Sequence, residues 1–175
     1  TTTCNSCSDC NTKLRSGSYS TVTLTTNLNN VSGGCIAVIL GEDNLIFDCA
    51  GHSIDGDDLA IDPEAGIAFM HGSNNTIRNC VVTDFDYGIE LWDTTGHRLE
   101  GNTTNSNTTG IYLSWANTTT VQNNTSRQNY TGILLGMNPG PVTFDHNTLF
   151  CAGTTHAQIV ANAEVTFTNN VVGEK

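Results

Sequence analysis

The chain alternates apolar and polar residues in short runs, and the runs recur at a fixed interval. Ile77-Arg78-Asn79-Cys80, Leu99-Glu100-Gly101-Asn102 and Val121-Gln122-Asn123-Asn124 each place a Cys or Asn three positions after an apolar residue, at a period of 22 residues. A second element keeps the same period: Gly-Ile stands at 88–89, 110–111 and 132–133, and Gly66-Ile67 extends the series backwards. A repeat of this length means stacked supersecondary units rather than a closed globule. Within each period, runs such as Gly110-Ile111-Tyr112-Leu113-Ser114 alternate with period two between Asn, Thr, Ser and Gly, which predicts strands; no window carries helical periodicity of sufficient length. The L-x-x-L-x-L-x-x-N signature of leucine-rich repeats is missing. The pattern therefore predicts an all-β fold, a parallel β-helix (β-solenoid) of about seven coils with ~22 residues per coil, each coil stacked about 4.8 Å above the last in a rod about 35 Å long.

The register assigns directions. Ile77, Leu99 and Val121 form one inward column, and Ile89, Ile111 and Ile133 with Leu91, Leu113 and Leu135 form two more. Cys80, Asn102 and Asn124 then fall at a bend, where stacked amides hydrogen-bond along the axis and satisfy turn backbone that burial would leave unpaired. Residues 1–18 lack the period and are expected to form a Cys-rich cap or flank, leaving 19–175 as the β-helix.

One stretch carries a family resemblance. Asp43-Asn44-Leu45-Ile46-Phe47-Asp48-Cys49-Ala50-Gly51-His52-Ser53-Ile54-Asp55-Gly56 resembles the opening of the right-handed parallel β-helix repeat domains of archaeal and bacterial surface and periplasmic proteins, similar in fold to pectate lyases and NosD-type repeats. The resemblance spans about residues 20–172 and implies a right-handed coil; because that superfamily holds lyases, hydrolases, binding proteins and structural rods, it leaves function open. Cys49 follows Ile46 as Cys80 follows Ile77, so the two occupy equivalent positions on adjacent coils, and a Cys49–Cys80 disulfide is predicted. Their spacing of 31 rather than 22 residues implies an insertion, an acidic loop at about 55–64 that bulges from the rod.

Composition narrows the setting. A net charge of -11 with six Lys plus Arg argues against nucleic acid or an anionic membrane as partner. No apolar run reaches the length of a membrane span. There are seven cysteines, and Cys4, Cys7, Cys10 and Cys35 read either as a zinc site or, preferably in these Ser/Asn/Thr-rich surroundings, as disulfides like Cys49 and Cys80; the odd count leaves one thiol free or paired between molecules. Asn-x-Ser/Thr occurs at eight asparagines. Asn102 and Asn124 belong to the inward column, so Asn30, Asn74, Asn107, Asn117, Asn123 and Asn129 are the expected glycan carriers. A chain beginning Thr-Thr-Thr-Cys with no visible signal peptide reads as a mature, secreted, extracellular form.

Candidate chemistry is sparse. Galacturonan hydrolases of the resembled fold use Asn-x-Asp, Asp-Asp, Gly-His-Gly and Arg-x-Lys on successive coils, and here only Gly56-Asp57-Asp58 matches. The lyases need a basic residue beside a calcium-binding carboxylate cluster, yet Arg78, Arg98 and Arg127 do not share a column. Asp62 and Asp84, like Glu64 and Asp86, are 22 residues apart and would pair on neighbouring coils, as a Ca²⁺ site or a glycosidase pair requires. The five histidines show no metal-binding spacing, and Trp92 and Trp115 would form either a subunit interface or a sugar-stacking stripe. No catalytic residue is assigned. These readings lead to the expectation of a non-enzymatic, secreted structural glycoprotein that self-assembles into a filament, sheath or coat through its open coil end or lateral contacts. The alternative is a carbohydrate-active β-helix: a polysaccharide lyase, a glycoside hydrolase or a glycan-binding module.

Overall fold

The computed structural model describes residues 1–57, 64–137, 140–150, 155–159 and 164–173. Among them, three wholly parallel sheets of eight, seven and six strands run along one axis, because each coil contributes one strand to each sheet. Sheet A includes Ile46–Asp48, Thr76–Arg78, Arg98–Glu100 and Thr119–Gln122; sheet B includes Ser53–Gly56, Val81–Thr83, Thr103–Asn105 and Thr125–Arg127. Sheet C carries the longest strands, Ala65–Met70, Tyr87–Thr95, Thr109–Asn117 and Thr131–Leu135.

The inward columns follow the period. In sheet A, Val22, Phe47, Ile77, Leu99, Val121, Phe144 and Phe167 stack rung upon rung. In sheet C, Ile36, Ile67, Ile89, Ile111 and Ile133 form one column, and Val38, Phe69, Leu91, Leu113 and Leu135 another. Branched and aromatic side chains at one register position give each coil an apolar floor matched to the coil above, which drives stacking.

The corners solve a different problem. Every turn buries backbone groups that no strand pairs, and side-chain amides take them up. At the corner between sheets A and B, Asn124 Oδ1 accepts from the Asn102 N–H at 2.9 Å and the Asn102 amide at 3.0 Å, while the Asn124 amide donates to the carbonyls of Leu99 and Gln122. Asn147 repeats the contact to Asn124, and Asn170 repeats it to Asn147. Further toward the N-terminus the same corner position is covalent: Cys49 and Cys80 form a disulfide with Cα atoms 4.7 Å apart, as the register predicts. This crosslink closes a separation of 31 residues. The double variant Cys49→Ala/Cys80→Ala is accordingly expected to lose about 2–4 kcal/mol, read as a lower denaturation midpoint at unchanged slope.

Residues 1–18 hold structure that their sequence did not announce. The Thr2–Cys4 strand adds to sheet A beside Thr21–Leu24, and a helix spans Cys7–Leu14. The helix is short and carries only Cys10 and Leu14 as buried anchors, so its apolar pattern is too brief to register as periodicity. What starts it is local: the Ser6 side chain accepts from the Asp9 N–H, and Asp9 pairs with Lys13 one turn on. Disulfides Cys4–Cys10 and Cys7–Cys35 tie it to the first coils, consuming the four sulfurs that a zinc site would have needed. The Asn11 amide donates to the Cys35 carbonyl and accepts from the Ala37 N–H, both at 2.8 Å, completing the edge of sheet C as a strand would. Cys151, the seventh cysteine, lies outside the described residues.

The acidic loop begins later than expected. Asp55 and Gly56 close the Ser53–Gly56 strand, where Ile54 stacks on Val82 and Asp55 accepts from the Thr83 hydroxyl. A Cβ at Gly56 would stand 2.1 Å from the Asp84 carbonyl oxygen, so only glycine lets that coil seat. The remainder of the loop, 58–63 with Asp62, lies outside the described residues.

Candidate functional site

The outward faces of the three sheets differ in chemistry. Sheet A presents a charged ladder, Asp48, Arg78, Glu100, Gln122 and Asp145, in which Arg78 pairs with Asp48 at 2.8 Å and Gln122 donates to Glu100 at 3.1 Å. Its groups satisfy one another. Sheet C is different, because its outward positions hold aromatic rings and a carboxyl without a partner charge.

The outward column of sheet C runs Ala37, Ala68, Glu90, Tyr112 and Leu134. Glu90 stands between inward Ile89 and Leu91, so strand alternation alone points it outward. Its register neighbours are Ala68 on one adjacent coil and Tyr112 on the other. The Tyr112 ring stacks on Tyr87, with centroids 5.0 Å apart and planes 21° off parallel. Burial alone pushes the Glu90 carboxyl above the ordinary carboxylate range, with neither a hydrogen bond nor a neighbouring charge shifting it. Burial also pushes the Tyr87 phenol up, and Tyr112, Glu90 and Asp86 add to the effect.

The next outward positions are Met70, Trp92 and Ser114, in register on three coils, with Gly136 one period beyond Ser114. Ser114 Oγ is buried and lacks a hydrogen-bond partner. A Cβ at Gly136 would come within 2.8 Å of the Tyr112 hydroxyl and 3.0 Å of Ser114 Oγ, so this glycine lets both hydroxyls pack directly over its backbone. Immediately after, His71, Asp93 and Trp115 adopt the left-handed backbone at φ 59°, 53° and 54°, which bends each strand and tips these side chains outward. His71 Nδ1 lies 2.9 Å from Asp93 Oδ2, and its ring meets Trp92 edge-on with centroids 4.8 Å apart. Trp92 and Trp115 are 37% and 38% exposed, so each offers about a third of its surface. They belong to neighbouring positions rather than one column, since Trp92 pairs with Ser114.

The other candidate residues divide. Glu64 and Asp86 do reach adjacent coils, but the contact is between the Glu64 N–H and Asp86 Oδ2 at 3.2 Å. Asp84 sits in a left-handed turn, and Asp62 is outside the described residues. Among the described residues, no three His, Cys, Asp or Glu side chains gather as a metal cluster would. Asn30, Asn74, Asn117 and Asn123 are exposed. Asn107 and Asn129 are corrected as glycan carriers: at 3% and 0% exposure they form a second internal ladder at the corner between sheets B and C. Asn129 Oδ1 accepts from the Asn107 N–H at 2.8 Å, and the Phe85 N–H donates to Asn107 Oδ1 at 3.0 Å. An amide committed to the core cannot meet a glycosyltransferase in the folded chain.

The residues that sequence reasoning missed are Glu90, Tyr87, Tyr112, Ser114, His71 and Asp93. The signal for Glu90 was present, since it is an acid at an outward position flanked by two core residues one period from Tyr112.

The model of the right-handed β-helix region matches residues 14–172, and the chain belongs to that family. Among solved structures, the periplasmic alginate epimerase AlgG aligns at TM-score 0.65 and 10% identity, over 87% of this chain and 41% of that one. A protein of Parabacteroides merdae ATCC 43184 named a "putative glycosyl hydrolase" aligns at TM-score 0.54 and 9% identity, over 93% of this chain and 84% of that one. No curated protein matches by sequence. At these identities the likeness is one of fold, and the chain spans less than half of the epimerase. The expectation of a non-enzymatic protein is nevertheless corrected, because the solved neighbours carry the names of carbohydrate-active enzymes. The three disulfides fit an oxidising compartment outside the cytoplasm. Among the described residues no helix is long and apolar enough to cross a membrane.

Proposed function

We propose that this chain is a carbohydrate-active β-helix that holds a glycan along the outer face of sheet C and hydrolyses it with two carboxyl groups, Glu90 and Asp93. The observation that carries the reading is Glu90, a half-buried carboxyl set beside stacked tyrosines with no cation to keep it ionised. Such a group holds its proton nearer neutrality than a surface carboxyl and is suited to donate it to a leaving sugar oxygen. Trp92 and Trp115 supply flat apolar surfaces for sugar rings.

Asp93 lies three residues further along the same strand, about 10 Å from Glu90 between Cα atoms. The reading requires the two carboxyl groups to stand at the roughly 6.5–9.5 Å typical of inverting glycosidases. In this reading Glu90 gives its proton to the glycosidic oxygen as the C1–O bond breaks. Asp93, oriented by His71, takes a proton from the water whose oxygen forms the new bond to C1 from the opposite face. Water is the only co-reactant, and the anomeric configuration inverts.

The test is release of reducing ends from a panel of soluble polysaccharides, followed with the wild-type chain and with Trp92→Ala. Cleavage of one polymer with a KM raised about tenfold or more by Trp92→Ala, at little change in kcat, is the expected result. Absence of both cleavage and binding across the panel would overturn the reading.

A further inference from the structure

The face of sheet C also discriminates by charge, and this deepening rests on its being the glycan site. We infer that its ligand is a neutral glycan, not a uronate polymer of the kind the epimerase is named for. A uronate chain carries a carboxylate on every sugar, and each one buried against protein has to be neutralised by a cation or a set of donors. The cationic side chains lie elsewhere among the described residues. Arg78 and Arg98 are on sheet A, Arg127 is on sheet B, and Lys13 belongs to the N-terminal helix. Arg15 reaches sheet C only at its first strand, where its guanidinium donates to the Ala37 carbonyl. That is two coils, about 10 Å, from Glu90. Arg78 and Arg98 are already engaged with Asp48 and Glu100.

The charges that do border the face are acidic: Glu64, Asp86 and Asp93. His71 is the face's titratable base, and Asp93 holds it at 2.9 Å. A polyanion laid along this strip would meet like charge on the two adjacent coils of Ala65–Met70 and Tyr87–Thr95, and no cation on the following strands Thr109–Asn117 and Thr131–Leu135, within a chain whose net charge is -11. The features that bind are indifferent to ligand charge. Stacked and exposed rings take the C–H faces of a sugar. The charge pattern thus opposes a uronate chain while the contact surface admits an uncharged one.

Titration calorimetry of the disulfide-intact chain separates the outcomes. The probes are neutral hexasaccharides (cellohexaose, laminarihexaose, xylohexaose, maltohexaose) and a hexamer of mannuronate or guluronate, each with 2 mM calcium and with chelator (about millimolar, to saturate ordinary oxygen-ligand sites). The expected result is that at least one neutral hexamer binds and is weakened about tenfold or more by Tyr112→Ala, while the uronate binds at least tenfold more weakly under both conditions. The double variant Glu90→Gln/Asp93→Asn is expected to narrow that gap. A uronate that binds as tightly as the neutral hexamers, and does so through Tyr112, overturns the charge inference and leaves the glycan site standing. Calcium-dependent uronate binding overturns it too. Binding of neither class overturns both.

Discussion

Glu90→Gln lowers hydrolysis by about a hundredfold or more while leaving glycan binding nearly unchanged, because the amide keeps the shape of the carboxyl but has no proton to give to a leaving oxygen. Fluorescence binding and reducing-end assays on the same preparation show the split, and equal loss of both would mean that Glu90 only shapes the face. The substitution has a second signature. Burial raises the Glu90 carboxyl in the folded chain, so between its ordinary range and that raised value the folded state binds more protons than the unfolded one. Stability associated with this group is therefore fully present below the ordinary carboxyl range and is lost as pH rises through the folded value. Glu90→Gln, which never ionises, is expected to melt with the wild type in acid and above it at neutral pH, in scans run from pH about 4 to 8. Identical melting across that span would show that the carboxyl is not desolvated.

Asn124→Ala is the substitution with the largest expected effect on stability. It strips the acceptor from two buried donors of Asn102 and the donor from the carbonyls of Leu99 and Gln122. Each buried polar group left unpaired costs about 1–3 kcal/mol, so a loss of about 3 kcal/mol or more follows even after local relaxation. Thr120→Ala, an outward-facing change on the strand that leads into this corner, serves as the comparison and is expected to shift stability by about 0.5 kcal/mol or less. Chemical denaturation of the two variants decides it: similar midpoints would mean that water replaces the missing amide.

The ladder containing Asn124 was legible because its members recur at one interval after a core residue, and the cysteines at equivalent positions disclosed the crosslink. The ladder of Asn107 and Asn129 was not, because the same spacing carries Asn-x-Thr, and one sequence pattern serves both a buried amide and a sugar acceptor. The cue that separates them is Phe85, one period earlier: an apolar residue in that column marks it as internal. The N-terminal helix escaped for want of length, since two anchors and a capping serine make no period. The catalytic candidates escaped for the opposite reason. Periodicity reports what every coil shares, whereas Glu90 and Asp93 each occur once and gain meaning only from what the neighbouring coils place beside them. Trp92 and Trp115 were visible as a pair, but the left-handed bend at Asp93 and Trp115 that sets them on adjacent positions was not.

The corner between sheets A and B changes character along its length, from a sulfur bond at Cys49 and Cys80 to amides alone from Asn102 to Asn170. Each coil leans only on its neighbours, so a rod of this kind comes apart rung by rung. Unravelling from the amide side proceeds through hydrogen bonds that re-form as readily as they break, and halts where the chain is covalently laced. The molecule is in this sense polar like a ratchet: one end is a fixed seed on which lost coils can be rewound, and Glu90 and Asp93 sit within about one coil of that seed.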